Sequence, residues 1–364
     1  MSAAPELAPG TGPGTGPEAG AVSAPDVSVL IPAWKAARFI PRAIASALAQ
    51  EGVSVEVIVA DDASPDDTAA VVAALAARDP RLRLVRAARN GGPGAARNLA
   101  ADAARGRWLA VLDADDAYAP GRLALLTARA EAEGLDAIAD LPVLWDHAAA
   151  APAPAQFPAD GRLERLDLRA LLESAVDGPP PAPGLPRLDL GLLKPLAARR
   201  LVAQGVWRYP EGVRHGEDFL LYFNALAAGA RFGLLHEAHY LFTTRIGAIS
   251  GAWSEASVTD VDYLGVRDDT AALIARLARE RPDLPGLTGA QAEALLRGRI
   301  ARLEQLNRNY GWRTLWSRAW SRHFAWLRRD RRNAAVLAGE LARKLARGRW
   351  LTRRLGAAGK GGTP

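Results

Sequence analysis

The sequence predicts an α/β fold, a mostly parallel sheet flanked by helices, with a helical, basic C-terminal extension. Three observations predict it. Strand and helix signals alternate four times between residues 27 and 116, the pattern of a parallel sheet covered on both faces. Two of the predicted strands run into clustered acids, Asp61-Asp62 and Asp113-Ala114-Asp115-Asp116, and such sheets bind ligands at the carboxyl ends of strands. From Arg297 onward there are 18 Lys and Arg against 3 Asp and Glu, whereas the rest of the chain is net acidic.

The elements follow in order. VSVLIPAW (27–34) is a short β-branched run stopped by proline, which reads as a buried strand. Residues 37–50 carry Phe39, Ile40, Ala43, Ile44, Ala47 and Leu48 at helical spacing. VEVIVADDAS (55–64) is a second strand, and 64–79 a helix with Ser64 as N-cap and Pro65 at its first position. A third strand covers 82–87, and the glycine turn NGGPG opens a helix at 90–106. The fourth strand is WLAVLDADD. Beyond residue 140 the alternation breaks, with Ala- and Pro-rich 148–160 and an irregular 177–186. Helices are expected near 194–204 and 217–228.

Composition narrows the class. The chain has 364 residues, 49% apolar and 24% charged, as in globular proteins with a sizeable core. It has no cysteine, which excludes a disulfide scaffold and Cys-based zinc sites. Residues 1–25 lack a basic start and an apolar run, so they read as a disordered tail and not as a secretory signal. No run of about 18 apolar residues occurs, so no spanning helix is expected. No nucleic-acid recognition module is visible.

The acids carry the chemistry. Three carboxylates within four positions repel one another and raise each other's pKa unless a cation lies between them. Asp113 and Asp115 suit Mg²⁺ or Mn²⁺, which take carboxylates together with substrate phosphates. They would do different jobs, one on a ribose and one on the metal. Asp61 could accept a hydrogen bond from a base or sugar, or Asp62 could cap the next helix. The amides of the 90–94 turn could face an anion, with Arg97 reaching a nucleotide, or the glycines could simply make a tight turn. Glu217-Asp218 opens a helix, where acids are favoured by the dipole or can serve as a general base. His236 and His239 are candidate histidine ligands, and Arg245 lies nearby.

These segments resemble the family 2 glycosyltransferases, inverting enzymes of the GT-A fold that use nucleotide-sugar donors. VSVLIPAW is similar to the family's opening strand, VIVADDASPDDT to its second strand and Asp-bearing turn, and NGGPGAARN to its Asn-x-Gly…Ala-Arg-Asn segment. LAVLDADD resembles its DxD strand, HGEDFLLYFNALAAGA its Glu-Asp motif and HYLFTTRIGAIS its late segment. The match spans about 27–250 in the right order. Trp34-Lys35, Ala63 and Thr244 depart from the usual residues. The resemblance implies a catalytic domain over 26–255, with a nucleotide-sugar-binding half at 26–140 and an acceptor half at 141–255, followed by the basic helical region 256–364. It implies that Pro32 and Ala33 line the base pocket, that Asp61 contacts the nucleobase and that Arg97 supports the nucleotide. Asp113 would contact ribose or metal, and Asp115 would hold Mg²⁺ or Mn²⁺, with His239 as a further candidate metal ligand. Asp218 would be the catalytic base beside Glu217, with Arg245 on the acceptor and diphosphate side.

The expected reaction is transfer of a sugar, with inversion, to a hydroxyl of a glycan or lipid-linked glycan during surface or exopolysaccharide synthesis. The alternatives are a nucleotidyltransferase and an inactive nucleotide-sugar-binding scaffold. Trp312, Leu315, Trp316, Ala319, Trp320, His323, Phe324 and Leu327 fall on one helical face among arginines. Such a face suits an anionic membrane surface or packing on the catalytic domain. A cytoplasmic enzyme peripheral to the inner face of the cell membrane is therefore expected.

Overall fold

The computed structural model describes residues 24–146, 151–152, 157–178, 188–244, 262–316, 320–340 and 342–343, with the side chains of 146, 244, 311–316, 320–323 and 325 excepted. The tail up to 23, Arg245 with its following segment, and the basic end from 344 lie outside the described residues.

The first half is the alternation expected: β1 (Val27–Ala33), α1 (Ile40–Leu48), β2 (Val55–Asp61), α2 (Thr68–Ala76), β3 (Leu82–Arg86), α3 (Pro93–Ala103) and β4 (Trp108–Val111). These strands pair in parallel in the order β3-β2-β1-β4. Every residue of β2 is buried, which is why both inner strands read as continuous apolar runs. Alternate side chains enter different cores. Val27, Val29 and Ile31 pack with α1, while Leu30, Ile58 and Leu109 meet Ala96 and Ala100 of α3. A Cβ on Gly106 would lie 2.5 Å from the Ser28 nitrogen, so only glycine lets the chain pass there into β4.

The second half extends the sheet with mixed pairing. It comprises β5 (Ala117–Tyr118), α4 (Arg122–Ala132), β6 (Ala137–Asp146), β7 (Ala151–Pro152), β8 (Leu163–Leu166), α5 (Leu168–Ser174), a 3₁₀ turn (Leu190–Leu192), β9 (Leu196–Ala198), α6 (Arg200–Ala203), α7 (Glu217–Ala227) and β10 (Phe232–Thr244). The sheet continues from β4 as β9-β6-β10-β5. β9 is antiparallel to both β4 and β6. The helix expected over 194–204 is thus a strand followed by a single helical turn, because Leu196-Ala197-Ala198 fills the gap between β4 and β6. Ser64 does not cap α2, which starts at Thr68. The Ser64 hydroxyl instead accepts the Lys35 N–H at 2.7 Å. β4 ends at Val111, and a turn then carries the three acids.

Three further helices follow: α8 (Tyr263–Glu280), α9 (Gly289–Trp316) and α10 (Trp320–Arg329). α9 packs on α8, α5 and α10. Leu273, Ala292 and Leu296 join the core that holds Phe219 and Phe223 of α7. Phe324 of the expected C-terminal apolar face and the nearby Trp326 have described side chains. Trp326 is 3% exposed, with its indole N–H on Asn307 at 3.0 Å, while Phe324 is 51% exposed. No described helix is long and apolar enough to cross a membrane.

Candidate active site

One cleft of about 960 Å³ opens at the carboxyl ends of β1 and β4. Pro32, Ala33, Arg97, Asp113, Asp115, Glu217 and Asp218 all line it. The fold brings them together from four separate segments.

The acid turn is braced from behind by its third carboxylate. Asp116 is 2% exposed. Its oxygens accept the Tyr240 hydroxyl at 2.7 Å and the Thr243 N–H at 2.8 Å, both from β10. The Tyr240 oxygen also accepts the Asp113 N–H at 3.2 Å. Burial, followed by the charges of Asp115 and Asp113, pushes Asp116 well above the usual carboxylate range. Arg42 of α1 donates to the Asp115 carbonyl at 2.9 Å and to the Thr243 hydroxyl. The acids lie in a turn after β4, and both Asp113 and Asp115 line the cleft.

The cation sought by the acids is supplied by protein. Arg97 donates to Asp113 at 2.7 Å, to Glu217 at 2.8 Å and to Asp218 at 3.4 Å. Lys194 lies 2.7 Å from Asp218 and 3.2 Å from Asp113. Arg97 is 3% exposed, with its guanidinium carbon 5.2 Å from the Tyr209 ring centre. Burial opposes the charges of Asp113, Lys194 and Arg97, but the pairing outweighs it. Asp113 is held far below its ordinary value by Lys194 and Arg97. Lys194 is raised by Asp113 and Asp218, and Arg97 by Asp218 and Asp113. Glu217 goes the other way: burial and the neighbouring Asp218 charge raise it.

Lys194 was missed by sequence reasoning. Its signal is a lone cation in LLKPL, just before the strand that pairs with β4. Antiparallel register puts Leu196 opposite Ala110. The chain preceding β9 therefore emerges beside the end of β4, next to Asp113.

Other expectations change. Asp61 is fully buried, accepting Ser64 N–H at 3.2 Å and Arg86 Nε at 3.2 Å, and it is not part of the cleft lining. A direct contact from Asp61 to a nucleobase would require these bonds to open. Asp62 lines the cleft instead, but its oxygens accept the Gly91 and Gly92 N–H groups, each at 2.8 Å. Those two amides are thus already taken by the Asp62 carboxylate. His239 sits at a register shift in β10 outside the cleft lining, its N–H on Asp140 at 2.9 Å. It does not join Asp115. Arg245 lies outside the described residues.

A divalent ion has a narrower set of ligands than expected. Both Asp113 oxygens meet buried cations, so Asp113 is a poor second ligand. No group of three or more His, Asp or Glu arranged to hold a metal occurs among the described residues. Asp115, on the cleft, fits the mode in which Mg²⁺ or Mn²⁺ takes one carboxylate plus substrate phosphates and water.

Comparisons with known proteins agree with this architecture. Residues 28–166 match the family model described as Glycosyl transferase family 2. The chain is 43% identical to succinoglycan biosynthesis protein ExoO of Rhizobium meliloti over 231 residues, 62% of this chain and 63% of that protein. It is 41% identical to ExoU of the same organism over 62% of this chain and 64% of that protein. The chain thus spans less than two thirds of the length of these relatives. The crystal structure of S. aureus TarS 1-349 in complex with UDP-GlcNAc superposes with a TM-score of 0.54 at 20% identity, over 79% of this chain and 74% of that one. That likeness shows a shared GT-A fold.

Proposed function

We propose that the chain, whose residues 28–166 match the model of glycosyltransferase family 2, transfers a sugar from a nucleotide-sugar donor to a hydroxyl acceptor in exopolysaccharide synthesis, with inversion. The observation that carries the proposal is the Arg97–Lys194 bridge, which joins the donor-side Asp113 to the helix-opening Glu217 and Asp218 in one cleft.

In this reading the nucleotide lies against Pro32 and Ala33, with its diphosphate at the acid turn. Asp115 holds the divalent cation, which when bound offsets the charge that grows on the departing diphosphate. Asp218 takes the proton of the acceptor hydroxyl as that oxygen attacks the anomeric carbon from the face opposite the leaving group. A single displacement of this kind inverts configuration and needs no protein nucleophile. Lys194 couples the two halves. A diphosphate beside Lys194 competes with Asp218 for the ammonium. Glu217, raised by burial, keeps Arg97 in place. Exposed Phe324, with Arg328 and Arg329 beside it, supports contact of α10 with an anionic membrane surface at the cytosolic face.

Asp218→Asn tests the assignment. With UDP-, GDP- and dTDP-sugars as a donor panel, transfer should fall about 10²–10⁴-fold. Affinity for the matching nucleotide, read by thermal shift, should persist. Near-wild-type turnover would remove Asp218 from the role of base.

A further inference from the structure

Arg299 of α9 is a buried cation of the same cleft in circumstances opposite to those of Arg97 and Lys194. It is 7% exposed and lines the cleft. Its guanidinium carbon lies 3.7 Å from the centre of the Phe219 ring, and Nε makes one long hydrogen bond, to the Thr270 hydroxyl at 3.4 Å. Among the described residues no carboxylate lies within ion-pair distance of it, whereas Arg97 has three and Lys194 two. One turn on, Arg302 is held by Asp177 and Asp189, each at 3.6 Å. Burial pushes Arg299 down to about 10, with Asp189 only partly opposing.

Its position is specific. A Cβ on Gly216 would lie 3.4 Å from Nη2 of Arg299. Gly216 is the left-handed residue just before Glu217 and Asp218 at the start of α7. A helix start carries partial positive charge, so this is a poor place for an unpaired cation unless an anion arrives. The nearby wall is open, since Leu192 and Leu306 line the cleft at 39% and 36% exposure. Arg299 thus sits against Gly216, which precedes Glu217 and Asp218, on the helical wall and not on the strand-end turn that carries Asp113 and Asp115.

We propose that Arg299 is an acceptor-recognition residue that binds an oxyanion, phosphoryl or carboxylate, carried by the acceptor close to its reacting hydroxyl. This deepens the transferase reading and rests on it. The planar guanidinium fork suits either oxyanion in a bidentate pair. The acceptor class is accordingly an anionic glycan or a glycan phosphate.

The test uses the full chain saturated with UDP and titrated calorimetrically with inorganic pyrophosphate and, separately, with glucuronate. The wild type should bind one of them, and which one identifies phosphoryl or carboxylate as the source. Arg299→Gln and Arg299→Met should each weaken that binding at least about tenfold while leaving UDP affinity unchanged. Arg299→Lys should retain part of it. Both neutral variants should melt at or above the wild-type temperature, because a desolvated charge without a partner is removed. The assignment is overturned if neither anion binds the wild type, if the variants bind as well as the wild type, if they lose UDP affinity, or if they melt lower. Failure of UDP, GDP and dTDP alike to bind the wild type would count against the transferase reading, and the glucuronate titration without nucleotide would still report on Arg299.

Discussion

Lys194 and Asp218 form a buried ion pair at 2.7 Å, and the same ammonium reaches Asp113 at 3.2 Å. One side chain therefore ties the turn after β4 to the start of α7. The Lys194 side chain is 7% exposed, so it holds these carboxylates in a low-dielectric setting where each needs a partner.

Replacing Lys194 by Met should destabilise the fold by about 3–5 kcal/mol, the cost of leaving buried charge unpaired. Arg97 alone would then face Asp113, Glu217 and Asp218. Urea unfolding of the variant measures this directly. A loss below about 1 kcal/mol, the range of exposed pairs, would show that Lys194 is solvated and not a structural bridge.

Asp62→Ala should leave the Gly91 and Gly92 amides without their acceptors. The expected cost is about 1–3 kcal/mol per group left unsatisfied. It should be local, so hydrogen exchange at residues 90–94 should speed up more than exchange in β2. Uniform acceleration across the sheet would contradict a turn-specific role.

The parallel half of the sheet was legible because its strands are buried on both faces and its helices have small or periodic apolar residues. VSVLIPAW and VEVIVAD admit one reading. The second half was less so. Leu196-Ala197-Ala198 carries no β signal of its own and becomes a strand only because β4 and β6 leave a slot between them. Lys194 was hidden for the same reason, since its role depends on that pairing. Asp116 was visible as an acid, but its partners Tyr240 and Thr243 come from β10, more than 120 residues away. Arg299 stood in the basic end, where charge totals gave no hint that one arginine turns inward.

The acid cluster also sets a pH dependence. The folded Asp113 carboxyl lies below its unfolded value, against burial, because Lys194 and Arg97 favour its charge. Its contribution to stability is complete above the unfolded value of about 4 and is lost as pH falls toward the folded one. The stability of the wild type minus that of Asp113→Asn should therefore shrink below about pH 4, by at most about 1.4 kcal/mol per pH unit for one proton. Glu217, raised by burial and by Asp218, has the opposite sign: stability is lost as pH rises through its folded value. Comparing Glu217→Gln with the wild type above the ordinary value of 4.5 should give a difference that changes in the reverse sense, shrinking as pH rises. Equal slopes for the two variants would contradict the opposed environments.

Metal dependence should depend on Asp115. Asp113 is already paired with Arg97 and Lys194, and a divalent ion placed on its oxygens would be repelled by both cations. Asp115 lines the cleft, and its backbone is fixed by Arg42. Chelation with EDTA should thus lower nucleoside diphosphate affinity at least about tenfold, and Mn²⁺ should restore it in the wild type. In Asp115→Asn, Mn²⁺ should restore little, while the melting temperature without nucleotide stays near that of the wild type. If EDTA leaves nucleotide affinity unchanged, Arg97, Lys194 and the other cleft cations suffice for the diphosphate, and the metal assignment fails.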